Sequence, residues 1–169
     1  MKRIAIQDAN ILIDLINCGL LGHVLSLDFK FFTTSIIRAE LIAHQDSVLN
    51  SYVEKGKIEV ISISSEEFTI ILELTSKYSK LSSQDCSALY YSEKLDALLL
   101  TGDKALRNVA ESLNLNVRGI FWLLDQLVEN LIITQREGCH FLKNLMITNK
   151  RLPMEECSIR LREWGDSKL

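Results

Sequence analysis

The 169-residue sequence contains one proline, Pro153, and seven glycines. So few breakers argue against a collagen-like or low-complexity chain, and no flexible linker or repeat is evident. Cysteine is sparse too. The four thiols, at 18, 86, 139 and 157, include no C-x-x-C pair and match no zinc spacing. They read as core or surface thiols of a reduced, cytoplasmic protein. No apolar run reaches the roughly 20 residues of a membrane span, so no membrane partner is expected. "MKRIAIQDAN" starts with charge, but an acid soon interrupts its apolar run, and no secretory leader is expected. Basic charge is not in excess: 19 Lys and Arg stand against 22 Asp and Glu, a formal net charge of −3. That balance argues against a protein that coats nucleic acid through a broad basic surface. It leaves room for an enzyme that holds a cation between acid and phosphate.

What the chain does have is apolar material in ordered periods. Hydrophobic residues make up 47% and charged residues 24%, enough for one sizeable core. "RIAIQ" (3–7) alternates as a strand. "NILIDLINCGLLGHVLSL" has helical spacing with glycine breaks. "FFTTS" is aromatic and β-branched, and "SIIRAELIAHQ" reads as a helix capped by Thr34 or Ser35. "SYVEKG" is a helical turn closed by glycine, and "KIEVISI" alternates as a strand. Capping boxes open three further helices, at Ser64/Glu67, Ser82/Asp85 and Thr134/Glu137. "ALLLTG" is the continuous apolar run of a strand covered on both faces. "DKALRNVAESLNL" is a helix and "NVRGI" a last short strand and turn. Three helices follow without strands, the last with Pro153 in its first turn. Alternating strands and helices predict a three-layer α/β/α sandwich around a mostly parallel sheet, over residues 1–130. Residues 131–169 form a helical extension packed on the same domain.

In such sheets ligands sit beyond the carboxyl ends of the strands. Asp8 directly follows the first strand and Asp103 directly follows "ALLLTG". Asp85 lies in the first turn of its helix. Glu40 lies within "SIIRAELIA", on the helix after "FFTT". Each has an ordinary explanation: a helix cap for Asp8 and Asp103, a capping box for Asp85, a solvated helix face for Glu40. Gathered at one end of a sheet, however, such carboxylates repel unless a cation is present. An all-carboxylate site without thiolate or imidazole suits a hard ion such as Mg²⁺ or Mn²⁺, which works with phosphate substrates. Arg38, Lys104 and Arg107 stand close in sequence to these acids and are candidate phosphate binders, or else members of solvated helix faces. His23, His44 and His140 are scattered and suggest no site.

Four segments, "IAIQDANILIDL", "TTSIIRAEL", "SSQDCSALYYSEKLDALLLTGDKALRNVAESL" and "NVRGIFWLLDQLV", resemble the successive motifs of a PIN domain, in order, over about residues 3–130. The continuation "NVRGIFWLLDQLVENLIIT" resembles a prokaryotic branch near the VapC-type toxins. The resemblance implies a metal-dependent endoribonuclease that cuts single-stranded RNA to a 5′-phosphate and a 3′-hydroxyl. It assigns the catalytic and metal-holding acids to Asp8, Glu40, Asp85 and Asp103, with Asn10 and Thr101 as polar supports. Gly102 departs from the pattern, standing where a polar or acidic residue often precedes the fourth acid; the number of metals stays open. An antitoxin and a second copy of the chain are the further partners implied.

Other readings remain open on the residues. "LLLTGDK" also resembles the late acidic motif of haloacid dehalogenase-type phosphatases. Those need a second aspartate two residues after the first, where this chain has Asn10. A receiver domain would need its phosphoacceptor after the third strand, where "KIEVISISS" ends in serines. A PIN-fold binding module without activity is the alternative of a different class.

Overall fold

The computed structural model describes residues 3–165. Local sequence sets most of its elements. The strands are β1 (Arg3–Gln7), β2 (Phe29–Thr34), β3 (Ile58–Ile61), β4 (Leu98–Leu100) and β5 (Val117–Arg118). The helices are α1 (Ala9–Asn17), α2 (Leu21–Val24), α3 (Ser35–Arg38), α4 (Ala43–Glu54), α5 (Ser65–Lys77), α6 (Ser83–Lys94) and α7 (Lys104–Ser112). The chain ends in α8 (Ile120–Glu129), α9 (Gln135–Thr148) and α10 (Met154–Glu163). The three capping boxes form, each satisfying backbone N–H groups that a helix start leaves without partners. Thr34, not Ser35, caps α3, its hydroxyl accepting from Ile37 N at 3.2 Å. Pro153 sits one place earlier than expected, as the N-cap of α10.

All strands pair in parallel, in the order β3-β2-β1-β4-β5. Parallel strands need crossovers, and helices supply them on both faces, which makes a three-layer α/β/α sandwich. On one face α6 crosses β1, β2 and β4, with α5 and α7 beside it. Across the sheet α1 packs on α2, α4 and α9, and α8 on α2 and α9. The inner strands are therefore apolar on both sides: Ile6, Leu99 and Leu100 are fully buried, as the unbroken run "ALLL" implies. All four cysteines are buried and free.

One predicted helix is broken. "SIIRAELIAHQ" does not run through; α3 stops at Arg38, and a turn separates it from α4. No glycine or proline marks the break. The cause is a new helix start at Ile42, whose extended backbone N–H donates to the Gln45 side chain at 3.2 Å. Gln45 is in turn held by Asn17 Oδ1 at 3.1 Å. Glu40 therefore lies in the exposed turn between the two helices and not on a helix face.

Strand order reverses beside β1. The chain leaves β1 towards β2 and β3, then returns to the other side for β4 and β5. The crevice between the carboxyl ends of β1 and β4 is thus the topological switch point, where open α/β sheets place ligands. The last helices share the main core: Leu142, Leu145, Cys157 and Leu161 join the same buried cluster as the sheet residues. Arg160 clamps α10 to α8 through Asp125 at 2.7 and 2.9 Å, with its guanidinium 4.6 Å from the Phe121 ring centre. Among the described residues no helix is long and apolar enough to cross a membrane.

Candidate active site

Asp8 occupies the switch point. Its backbone N–H donates to Leu100 O at 3.0 Å, which extends the β1–β4 ladder by one residue. Its side chain then caps α1, with Oδ1 accepting from Ala9 N at 2.7 Å. The other oxygen accepts from the Thr101 hydroxyl at 2.8 Å. The residue is only 1% exposed. Burial raises the carboxyl, the charges of Asp85 and Asp103 raise it further, and the Thr101 and Ala9 bonds oppose them; the result is a pKa of about 6.

Thr101 joins two of the acids. Its hydroxyl donates to Asp8 and accepts from Asp103 N at 3.0 Å. Asp103 caps α7, with Oδ1 on Leu106 N at 2.8 Å. The cap predicted for Asp103 is therefore present, and its carboxylate still borders the crevice. Arg107 lies one turn further along α7, with its guanidinium on Thr101 O at 3.2 Å. Gly119 permits this approach, because a Cβ there would stand 3.2 Å from that guanidinium. Gly102 is different: a Cβ there would touch nothing within 4 Å, so the backbone leaves room for a side chain at the crevice rim.

Asp85 reaches the same region from α6. Its Oδ2 accepts from Ser82 N and Ser82 Oγ, both at 2.8 Å, as a capping box requires. Glu40 lies within its electrostatic reach; partial burial and the Asp85 charge push its carboxyl up. All four predicted acids are thus within electrostatic reach of at least one other. They do not close into a tight cage: among the described residues no three Asp, Glu, His or Cys side chains form a group that could hold an ion directly. The donor set still fits a hard cation, being all oxygen, with a buried carboxylate whose neighbours raise it. Mg²⁺ commonly keeps several waters and takes only one or two carboxylates.

The candidate phosphate binders divide. Arg38 is tied to Asp46 at 2.6 and 3.2 Å and to Asn50 at 3.0 Å, which holds α3 to α4. Lys104 is exposed in the first turn of α7. Arg107 lines a cavity of about 590 Å³ together with Asn10, Thr101 and Asp103, the one candidate acid of the four in its lining. That cavity also takes residues the sequence reading passed over: Asp14 on α1 and Asn149, Lys150 and Arg151 from the α9–α10 loop. Asn10 and Asp14 share a helix face at i, i+4, a signal that was there to read. The loop gave none, because only the folded chain brings it to α1.

The family model described as a PIN domain matches residues 4–166, and this chain belongs to the PIN domain family. Its members are generally nucleases. Endoribonuclease Nob1 of Methanocaldococcus jannaschii is 32% identical over 92 residues, which are 54% of this chain and 46% of that protein. The chain thus spans about half the length of that relative. The crystal structure of PAE2754 from Pyrobaculum aerophilum superposes with a TM-score of 0.51 at 16% identity, over 76% of this chain and 99% of that one. A PilT N-terminus domain protein from Sulfolobus solfataricus gives 0.46 at 17% identity, over 75% and 94%.

Proposed function

We propose that this chain is a metal-dependent endoribonuclease acting on single-stranded RNA in the crevice between β1 and β4. The observation that carries the reading is the gathering of Asp8, Asp85 and Asp103, with Glu40 beside them, at the switch point of a PIN-domain sheet. Four carboxylates there carry more negative charge than their hydrogen-bond donors offset, and a cation is the missing complement. Asp8 and Asp103 would hold Mg²⁺ or Mn²⁺, with Asp85 and Glu40 reaching it through water. When bound, such an ion neutralises charge at the scissile phosphate and makes water more acidic.

The protein's own groups do the rest. Thr101 and Ala9 fix both oxygens of Asp8, so its orientation is set before substrate arrives. For Asp103, Leu106 N holds Oδ1 while the Thr101 hydroxyl accepts from the backbone N–H. Glu40 orients the attacking water. Water adds to phosphorus as the P–O3′ bond breaks, and its proton goes to the departing 3′ oxygen, leaving a 5′-phosphate and a 3′-hydroxyl. Action in the cytoplasm follows from the RNA substrate.

A toxin role, with an antitoxin and a second copy of the chain as partners, extends this reading. It is supported by the VapC-like motif order and by Phe68, Ile70 and Leu72 on α5, which are 43%, 41% and 45% exposed. Cleavage of mixed RNA with and without Mn²⁺, using Asp8→Asn as control, tests the core claim. Metal-dependent cleavage lost in the variant supports it. Metal binding without cleavage would favour a binding module.

A further inference from the structure

We infer that the Asn149–Arg151 loop is a clamp for the phosphodiester backbone of the substrate, held against α1 so that its cations line the same cavity as Asp103. The inference rests on the nuclease reading and adds a substrate-positioning element to it.

One side chain builds the clamp. Asn149 Nδ2 donates to Asp14 Oδ2 at 2.8 Å, and Asn149 Oδ1 accepts from Arg151 N at 3.0 Å. The end of α9 and the following loop are thereby pinned to α1, whose N-cap is Asp8. Thr148 adds a contact to Cys18 at 3.6 Å. The cavity of about 590 Å³ is lined by side chains of both charge signs. Asp103 and Asp14 line it together with Lys150, Arg151 and Arg107. Its size lies within the range of small-ligand clefts, enough for part of a nucleotide chain.

The two loop cations have different local roles. Lys150 Nζ donates to Met146 O at 3.2 Å, so its charge also closes the end of α9. The Arg151 side chain is exposed and makes no hydrogen bond or ion pair with another described residue. Its backbone is fixed by Asn149 while its guanidinium stays available. A planar fork of donors beside a carboxylate-lined crevice matches a phosphodiester, which must lie next to the acids and needs positive charge on its other side. In a chain of net charge −3, that counter-charge has to be placed locally.

The test uses a fluorescein-labelled single-stranded oligouridylate and a DNA of the same length, in Mg²⁺, on the Asp8→Asn protein so that RNA persists. Adding Lys150→Ala and Arg151→Ala should weaken binding of both oligonucleotides about tenfold and lower the salt slope by about 1.4, the value for two phosphate contacts on a single strand. In the cleavage-competent protein the same pair should raise KM with kcat within about twofold, and Arg151→Lys should retain most of the affinity. Asn149→Ala, which removes no charge, should give a smaller loss of the same kind. Unchanged affinity and salt slope in the double variant, or no oligonucleotide binding by the starting protein, would overturn the clamp. Binding that weakens as described in a protein that never cuts RNA would refute the nuclease reading and keep the clamp.

Discussion

Replacing Asp8 by asparagine should make the metal-free protein more stable while destroying its activity. Asp8 is 1% exposed, and its carboxyl is raised from 3.8 to about 6 by burial, by Asp85 and by Asp103. The native state therefore holds a proton more tightly than the unfolded chain does. Above both values, ionised Asp8 destabilises the fold by about 3 kcal/mol, at 1.36 kcal/mol per pKa unit. Asparagine removes the charge and keeps an acceptor for Ala9 N, and the Thr101 hydroxyl can turn to meet the new amide. Imperfect fit reduces the gain to about 1–3 kcal/mol, or roughly 3–10 °C in melting temperature for a chain of this length. The sign follows from the direction of the shift: the penalty is absent below about pH 4, grows between about 4 and 6, and is complete above. Thermal melts of both proteins in EDTA at pH 4.5 and 7.5 measure it. Asp8→Asn should gain at pH 7.5 and gain much less at pH 4.5. Saturating Mn²⁺ should then stabilise the parent selectively, by about 2.7 kcal/mol at 100 times the dissociation constant. A variant less stable than the parent in EDTA at pH 7.5, or an equal difference at both pH values, would refute the electrostatic account of this site.

Thr101→Val removes the hydroxyl that donates to Asp8 and accepts from Asp103 N. It should raise the Asp8 pKa above about 6, because that bond now lowers it, and cost about 1–3 kcal/mol of stability; a carboxyl titration followed by NMR reads the first effect and urea denaturation the second. Gly102→Asp should fold as the parent does, since a Cβ there meets nothing within 4 Å. It should tighten Mn²⁺ binding in calorimetry, and unchanged affinity would place position 102 outside the metal's reach.

Most of the architecture was legible because the elements carry local signals. Capping boxes announced α5, α6 and α9, and the unbroken run "ALLL" announced a doubly covered strand. The positions of Asp8 and Asp103 followed from the rule that parallel sheets work at their carboxyl ends. The break after Arg38 was not legible. It depends on Gln45 reaching back to Ile42 while Asn17, 28 residues away, holds the Gln45 amide. For the same reason Glu40, expected on a helix, belongs to a turn, and nothing in the sequence signals that Arg38 pairs with Asp46 and Asn50.

By itself the sequence determined which residues could be chemical: short-range periodicity and capping decide where strands and helices stop, and the acids sit at those stops. Only the tertiary structure decided their company. Strand order set Asp8 beside Thr101, 93 residues away, and raised its carboxyl by burying it near two like charges. Packing carried Asn149 to Asp14, 135 residues away, and with it two cations to the cavity that Asp103 lines. Local propensity acts over a few residues, whereas burial, repulsion and long-range hydrogen bonds exist only once the chain has closed on itself.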